Sequence, residues 1–217
     1  MFIGHFAAGL AAKKAAPAVS LGILFLAVQF ADLLWPTLLL AGVEQVQIVA
    51  GAKPIPLIFT HYPISHSLLM AVVWGILIGG VYWLVRRDRR AALVVGLCVL
   101  SHWVLDLIVH VPDLPLYPGS PVLLGFGLWN QTVLELVIEL LMFGLGIYLY
   151  LGATKAKNKI GSIGFWALMV FLLGIHVANI FGPPPPDVKA IAWAGQLQWL
   201  FVIWAFWVDR NREALTA

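Results

Sequence analysis

Six apolar runs, each long enough to cross a bilayer, follow one another along these 217 residues and leave the chain few ways to fold. They cover roughly residues 17–43, 63–85, 91–111, 129–151, 162–182 and 190–208. At about 1.5 Å of rise per residue, each helix spans a hydrocarbon core of about 30 Å. Breakers separate them: Lys13-Lys14 before Pro17, Pro54 and Pro56, RRDRR at 86–90, Pro112 to Pro121, KAKNK at 155–159, and GPPPPD at 182–187. Only 11% of the residues are charged, against about 25% in a soluble domain, and 62% are hydrophobic. The predicted fold class is therefore all-α, a polytopic membrane helix bundle of about six transmembrane helices.

The basic residues set the orientation. Lys13 and Lys14, the Arg86–Arg90 cluster, Lys155 to Lys159, and Arg210 with Arg212 fall in alternate connections, leaving only Lys53 and Lys189 on the other side. The positive-inside rule makes the first side cytoplasmic, together with the N- and C-terminal basic segments. Short clusters of this kind are topology signals and offer no nucleic-acid surface. The single cysteine, Cys98, lies in an apolar run, so neither a disulfide framework nor a cysteine metal site is available.

The start, MFIGHFAAGLAAKK, is too short to span, and its basic pair follows the apolar part, unlike a signal peptide. With Lys13 and Lys14 at the cytoplasmic interface, a helix lifts His5 about 12 Å into the bilayer. This predicts a short, half-inserted N-terminal helix whose beginning is buried among the others.

Counting helical rise places most intramembrane polar groups between the midplane and the outer surface. Asp32 and Asp106 come out roughly 22 Å from the cytoplasmic ends, His102 roughly 16 Å and His176 roughly 21 Å. Four carboxylates (Asp32, Asp106, Glu135, Glu139) occupy the membrane layer without any Lys or Arg. A charge there costs at least about 2.5–3.5 kcal/mol, so protonation, histidine cations or bound metal ions must offset it. Histidine with carboxylate is the usual ligand set for zinc, manganese or iron.

SHWVLDLIVH, residues 101–110, fits that reading. His102, Asp106 and His110 repeat at intervals of four and share one helical face. The two histidines are about 12 Å apart along the axis, too far to share an ion, so the spacing predicts two or more metals bridged by Asp106. FADLLWP predicts a kink at Pro36, which cannot donate to the Asp32 carbonyl. HYPISHS brings His61, Ser65 and His66 to the outer start of a helix, where the chain can fold over the mouth of a site. His61, Glu135, Asn130, Ser65 and His176 are candidates for supporting roles or additional ligands. Loop placement for His61, helix capping for Asn130 and interhelical hydrogen bonding for His176 are the plain alternatives.

These residues also carry a resemblance. MFIGHFAAGL, FADLLWP, HYPISHSLL, SHWVLDLIVH followed by PDLPL, and GLWN followed by Glu139 in ELLMFGLGIYLY are similar, in order, to the YdjM-type family. That family comprises bacterial inner-membrane proteins described as predicted metal-dependent hydrolases, with a LexA-binding label. The resemblance covers roughly residues 1–152 as a metal-site helical domain, and residues 153–217 add two transmembrane helices to the same bundle. A more distant similarity is to the zinc-dependent phospholipase C and nuclease superfamily, which uses a trinuclear zinc site. It implies His5, Asp32, His66, His102, Asp106 and His110 as ligands in that order. Where that superfamily has a later His-x-x-x-Glu, this chain reads Glu135-x-x-x-Glu139, with Glu139 the candidate ligand.

The resulting expectation is a membrane-embedded hydrolase of phosphoester bonds in a lipid or lipid-linked substrate. It would use two or three divalent ions, zinc first and manganese or iron as alternatives, with Asp106 and Asp32 as catalytic carboxylates. The metals would activate water. A metal-ion or proton-coupled transporter is the first alternative, because intramembrane carboxylates and histidines also line ion paths. A membrane regulatory or scaffold protein is the second.

Overall fold

The computed structural model describes residues 1–49, 51 and 56–215. Lys53 and Pro54, read above as an outer-side charge and a breaker, lie outside the described residues.

The chain opens with α1 (Ile3–Ala15), too short to span and deeply packed. A Ser20 cap then starts α2 (Leu21–Val28), its hydroxyl accepting from the Ile23 N–H. α3 (Phe30–Leu40) follows after a break at Gln29, and the two form one span bent by 57°. The bend thus falls at Gln29 and not at Pro36, which sits inside α3. Gln29 turns its side chain inward toward Gln198, and Pro36 packs where Gly195 leaves it room.

On the outer side, β1 (Gln45–Ile48) pairs antiparallel with β2 (Leu57–His61), with a bulge between Gln45 and Val46. The short α4 (Pro63–His66) leads into α5 (Leu68–Arg86), which Ser67 caps. Arg87 turns the chain in the left-handed region and Asp88 caps α6 (Arg89–Val109). α5 and α6 pack closely because Gly75 and Gly96 face each other. A Cβ on Gly75 would stand 2.9 Å from the Gly96 carbonyl oxygen. Small residues at such contacts let membrane helices pack where no hydrophobic gain separates protein from lipid.

A two-residue ladder, β3 (Leu114–Pro115) with β4 (Leu123–Leu124), and a 3-10 turn at Leu128–Asn130 then complete the outer surface. α7 (Thr132–Ala153) returns and α8 (Lys159–Phe181) crosses again, the latter capped by Asn158. α9 (Val188–Gln196), capped by Asp187, and α10 (Trp199–Arg210) make the last span. β5 (Thr154–Ala156) and β6 (Arg212–Ala214) pair at the cytoplasmic end.

Among the described residues, five helical stretches are long and apolar enough to span, α9 and α10 together making one of them, and the bent pair taken as one span gives six. The bundle is the all-α membrane architecture that the six runs require, and the described residues add three small two-stranded ladders outside the helices. α1 lies along α7, where a side chain on Gly146 would collide with the Ala7 backbone. Phe6, Phe25, Tyr150, Phe165 and Phe201 join α1, α2, α7, α8 and α10 in one core. That core holds the start of α1 against the outer half of α6.

Candidate metal centre

Asp106 is the hub. It projects from the last turn of α6 and is almost fully buried. Its two oxygens face different partners. Oδ1 lies 2.7 Å from the Met1 α-ammonium and 3.1 Å from His5 Nε2. Oδ2 lies 3.1 Å from His102 Nε2 and 3.9 Å from both His66 Nε2 and His110 Nε2. Asp32 approaches from α3, with Oδ1 3.4 Å from His66 Nε2 and 3.8 Å from His102 Nε2. The His5 and His102 rings stack at 3.8 Å. Four helices thus bring six predicted residues together: α1, α3, α4 and α6, the last with its C-cap residue.

Each contribution follows from local structure. The break at Gln29 takes the Val28 carbonyl out of the helical ladder, and His102 Nδ1–H donates to it at 2.7 Å. His110 is the C-cap of α6, with extended backbone, so its side chain swings back over the helix end instead of rising one turn further. It therefore shares the Oδ2 side of Asp106 with His102, despite the axial separation counted from the sequence. Its Nδ1–H donates to Asp113 at 2.9 Å, and Tyr62 donates its hydroxyl to the same carboxylate oxygen at 2.8 Å. Trp129 and Phe59 cover the His110 ring, so the β1–β2 hairpin and the 3-10 turn close the outer side.

A carbonyl and a carboxylate can only accept, so His102 and His110 carry their protons on Nδ1. Their Nε2 lone pairs then point toward Asp106, which also has only lone pairs to offer. His102 Nε2, 3.1 Å from Oδ2 but out of line, has no hydrogen-bond partner, and His5 Nδ1 has none either. Buried acceptors facing buried acceptors are costly, and a proton or a bound cation between them would relieve that cost. The donor set fits a bound cation: three-residue groups whose ligand atoms lie within 4.8 Å of one another occur as His5, Asp32, His102 and as His66, His102, Asp106. Imidazole with carboxylate suits zinc, manganese or iron.

Other predicted residues lie elsewhere. Glu139, expected as a ligand, caps the start of α1, accepting from Phe2 N–H at 3.0 Å and Gly4 N–H at 2.9 Å. It does so because α1 packs along α7 with its exposed amides toward this carboxylate. Glu135 is buried one turn away on the same helix. His176 is buried on α8 beside Phe2, with its Nε2 unpartnered. His61 is exposed on β2, and Asn130 is exposed at the end of the 3-10 turn, leaving the N-cap of α7 to Gln131. Ser65 is buried, with its Oγ 2.6 Å from His66 Nδ1. Sequence reasoning missed Asp113, Tyr62, the Val28 carbonyl and Glu44. Only Asp113 carried a local signal, lying three residues beyond His110.

The family model for YdjM inner membrane protein matches residues 1–182. The chain belongs to the YdjM inner membrane protein family. With its five to six apolar crossings, this YdjM-family protein is a multi-pass inner-membrane protein. The match includes every residue of the candidate centre and runs to the end of α8. No curated protein and no solved structure matches the chain.

Proposed function

We propose that the protein is a membrane-embedded, metal-dependent hydrolase that cleaves phosphoester bonds in a lipid or lipid-linked substrate. The observation that carries this reading is the convergence of imidazole Nε2 atoms on Asp106 and Asp32, with no lysine or arginine of the described residues paired to either carboxylate. His5, Asp32, His66, His102 and Asp106 would hold the metal, with His110 beside them. Asp106 suits a bridging role, because its two oxygens face His5 on one side and three histidines on the other. A divalent ion, zinc first, would supply Lewis acidity and a nucleophilic water at neutral pH.

The chain's own groups do the rest. Asp32 is the one open member, with 23% of its side chain exposed, so a phosphoryl group would arrive there. A cavity of about 10 Å³ lined by Ala31, Ser65, His66 and His102 has about the room one water needs. Asp32 would take the proton as the water oxygen bonds to phosphorus. The ester P–O bond then breaks and the alcohol leaves, protonated from solvent. Asp106 lies about 25 Å along α6 from Arg89 at the cytoplasmic end, level with the outer leaflet. That depth favours a lipid headgroup as substrate.

The test uses full-length protein in lipid nanodiscs loaded with zinc, assayed against phospholipids and lipid-linked phosphates. The expected result is stoichiometric metal and turnover, with Asp32→Asn lowering the rate by about 10²–10⁴. Metal-free protein, or turnover untouched by Asp32→Asn, sinks the proposal. Zinc uptake into proteoliposomes without hydrolysis would move the same centre to a transporter.

A further inference from the structure

We infer that Glu44 positions His66 by fixing the side of the ring on which its proton sits, through the hydroxyl of Ser65. This rests on the metal centre proposed above and assigns that centre a control residue outside its ligand groups. Glu44 lies just before β1, twenty residues upstream of the α4 segment it touches, and its side chain is 2% exposed. Its Oε1 accepts the N–H groups of Ile64 at 2.8 Å and Ser65 at 2.9 Å. Its Oε2 accepts the Ser65 hydroxyl at 2.6 Å. The same hydroxyl lies 2.6 Å from His66 Nδ1 and 3.4 Å from the Tyr62 carbonyl oxygen.

A hydroxyl has one proton to give. The carboxylate, an obligate acceptor at short range, takes it in a charge-assisted bond. Ser65 Oγ then meets His66 Nδ1 with lone pairs only, so the imidazole proton must be on Nδ1. That leaves a bare Nε2 directed at Asp32 Oδ1, 3.4 Å away, and at Asp106 Oδ2, 3.9 Å away. Glu44 thereby does for His66 what the Val28 carbonyl does for His102 and Asp113 does for His110. Tyr62 and Trp35 pack around the ring and hold its plane. Glu44 also caps the first amides of α4, so a purely structural role has to be separated from proton placement.

Glu44→Gln separates them. Its amide oxygen still accepts from Ile64 and Ser65, but its NH₂ now donates to Ser65 Oγ. The Ser65 hydroxyl then turns to donate its hydrogen bond to His66 Nδ1, which must accept, so the ring's single proton sits on Nε2. The experiment reads the ring-nitrogen NMR shifts of ¹⁵N-histidine-labelled, metal-free, full-length protein in nanodiscs, with His66 assigned by loss of its signals in His66→Gln. Zinc affinity is measured separately by competition with a chromophoric chelator. Wild type is expected as the Nδ1–H form and Glu44→Gln as Nε2–H, with zinc affinity about 10–100-fold weaker. Ser65→Ala, which keeps the cap, should give a mixture of the two forms and a similar loss. A wild-type Nε2–H form, or a proton that stays put in both variants, overturns the assignment. If wild type takes up no zinc while Glu44→Gln still moves the proton, the positioning role stands and the metal reading falls.

Discussion

The bundle buries charge at two ends, and the two ends solve the problem differently. At the cytoplasmic end Lys13 binds both oxygens of Asp209, at 2.9 and 3.1 Å, and the Val19 carbonyl at 2.8 Å. Arg212 spends its fork on Thr154 and the Gly161 carbonyl and lies against the Tyr150 and Phe165 rings. Every charge there has an opposite charge or a fixed dipole beside it, and no member of that cluster is unpartnered. The outer centre concentrates carboxylates and imidazoles and leaves His5 Nδ1 and His102 Nε2 without partners. Burial alone therefore does not mark a site. What separates the two regions is that one is closed by its own side chains, whereas the other keeps unpartnered imidazole nitrogens beside its carboxylates even with the Met1 α-ammonium on Asp106.

The strongest way to break this comparison is Asp106→Asn. Both oxygens of Asp106 face other site groups, so the variant should lose bound metal to background while staying folded in nanodiscs. Elemental analysis against a size-exclusion profile reads both. Retained stoichiometric metal would mean that Asp106 is only another structural charge. Lys13→Met makes the opposite test. It strands Asp209, whose side chain is 14% exposed, so the expected loss is about 3 kcal/mol, the low end for a broken buried pair. Unfolding midpoints would register it. Metal per folded molecule should not change, and a fall would join two regions that the contacts keep apart.

The sequence made much of this legible, for physical reasons that differ by residue. A bilayer demands long apolar helices, so the six crossings could be read and only their ends moved, to the caps at Ser67, Asp88, Asn158 and Asp187. That the histidines and carboxylates would cluster could be read because ionisable groups at that depth are costly. Pairing information was harder. Nothing local says that α1 presents its amides to Glu139, which accepts from them. Pro36 advertised a kink, yet the chain bends at Gln29, and that bend frees the carbonyl that orients His102. Lys13 and Arg212 looked like topology charges, but both are buried and bonded. Glu44 carried no local signal, because its partners lie some twenty residues away.

The smallest expected effect sharpens where the outer centre ends. His110 stands 3.9 Å from Asp106 Oδ2 and belongs to neither compact three-residue group among the described residues. Asp113 fixes its ring and also accepts from Tyr62, whose phenol is pushed above its usual value by burial and then by the charge of Asp113, so it remains a donor at neutral pH. Asp113→Ala leaves His110 Nδ1–H and the Tyr62 hydroxyl without their acceptor. It frees the ring without removing a ligand. Zinc affinity, read by chelator competition, should then fall about 10-fold, the low end for loss of an orienting partner. A loss as complete as that of Asp106→Asn would make His110 a full ligand, and the centre would extend to the outer end of α6. No loss would confine it to the residues around His102, with His110 left as part of the aromatic cover.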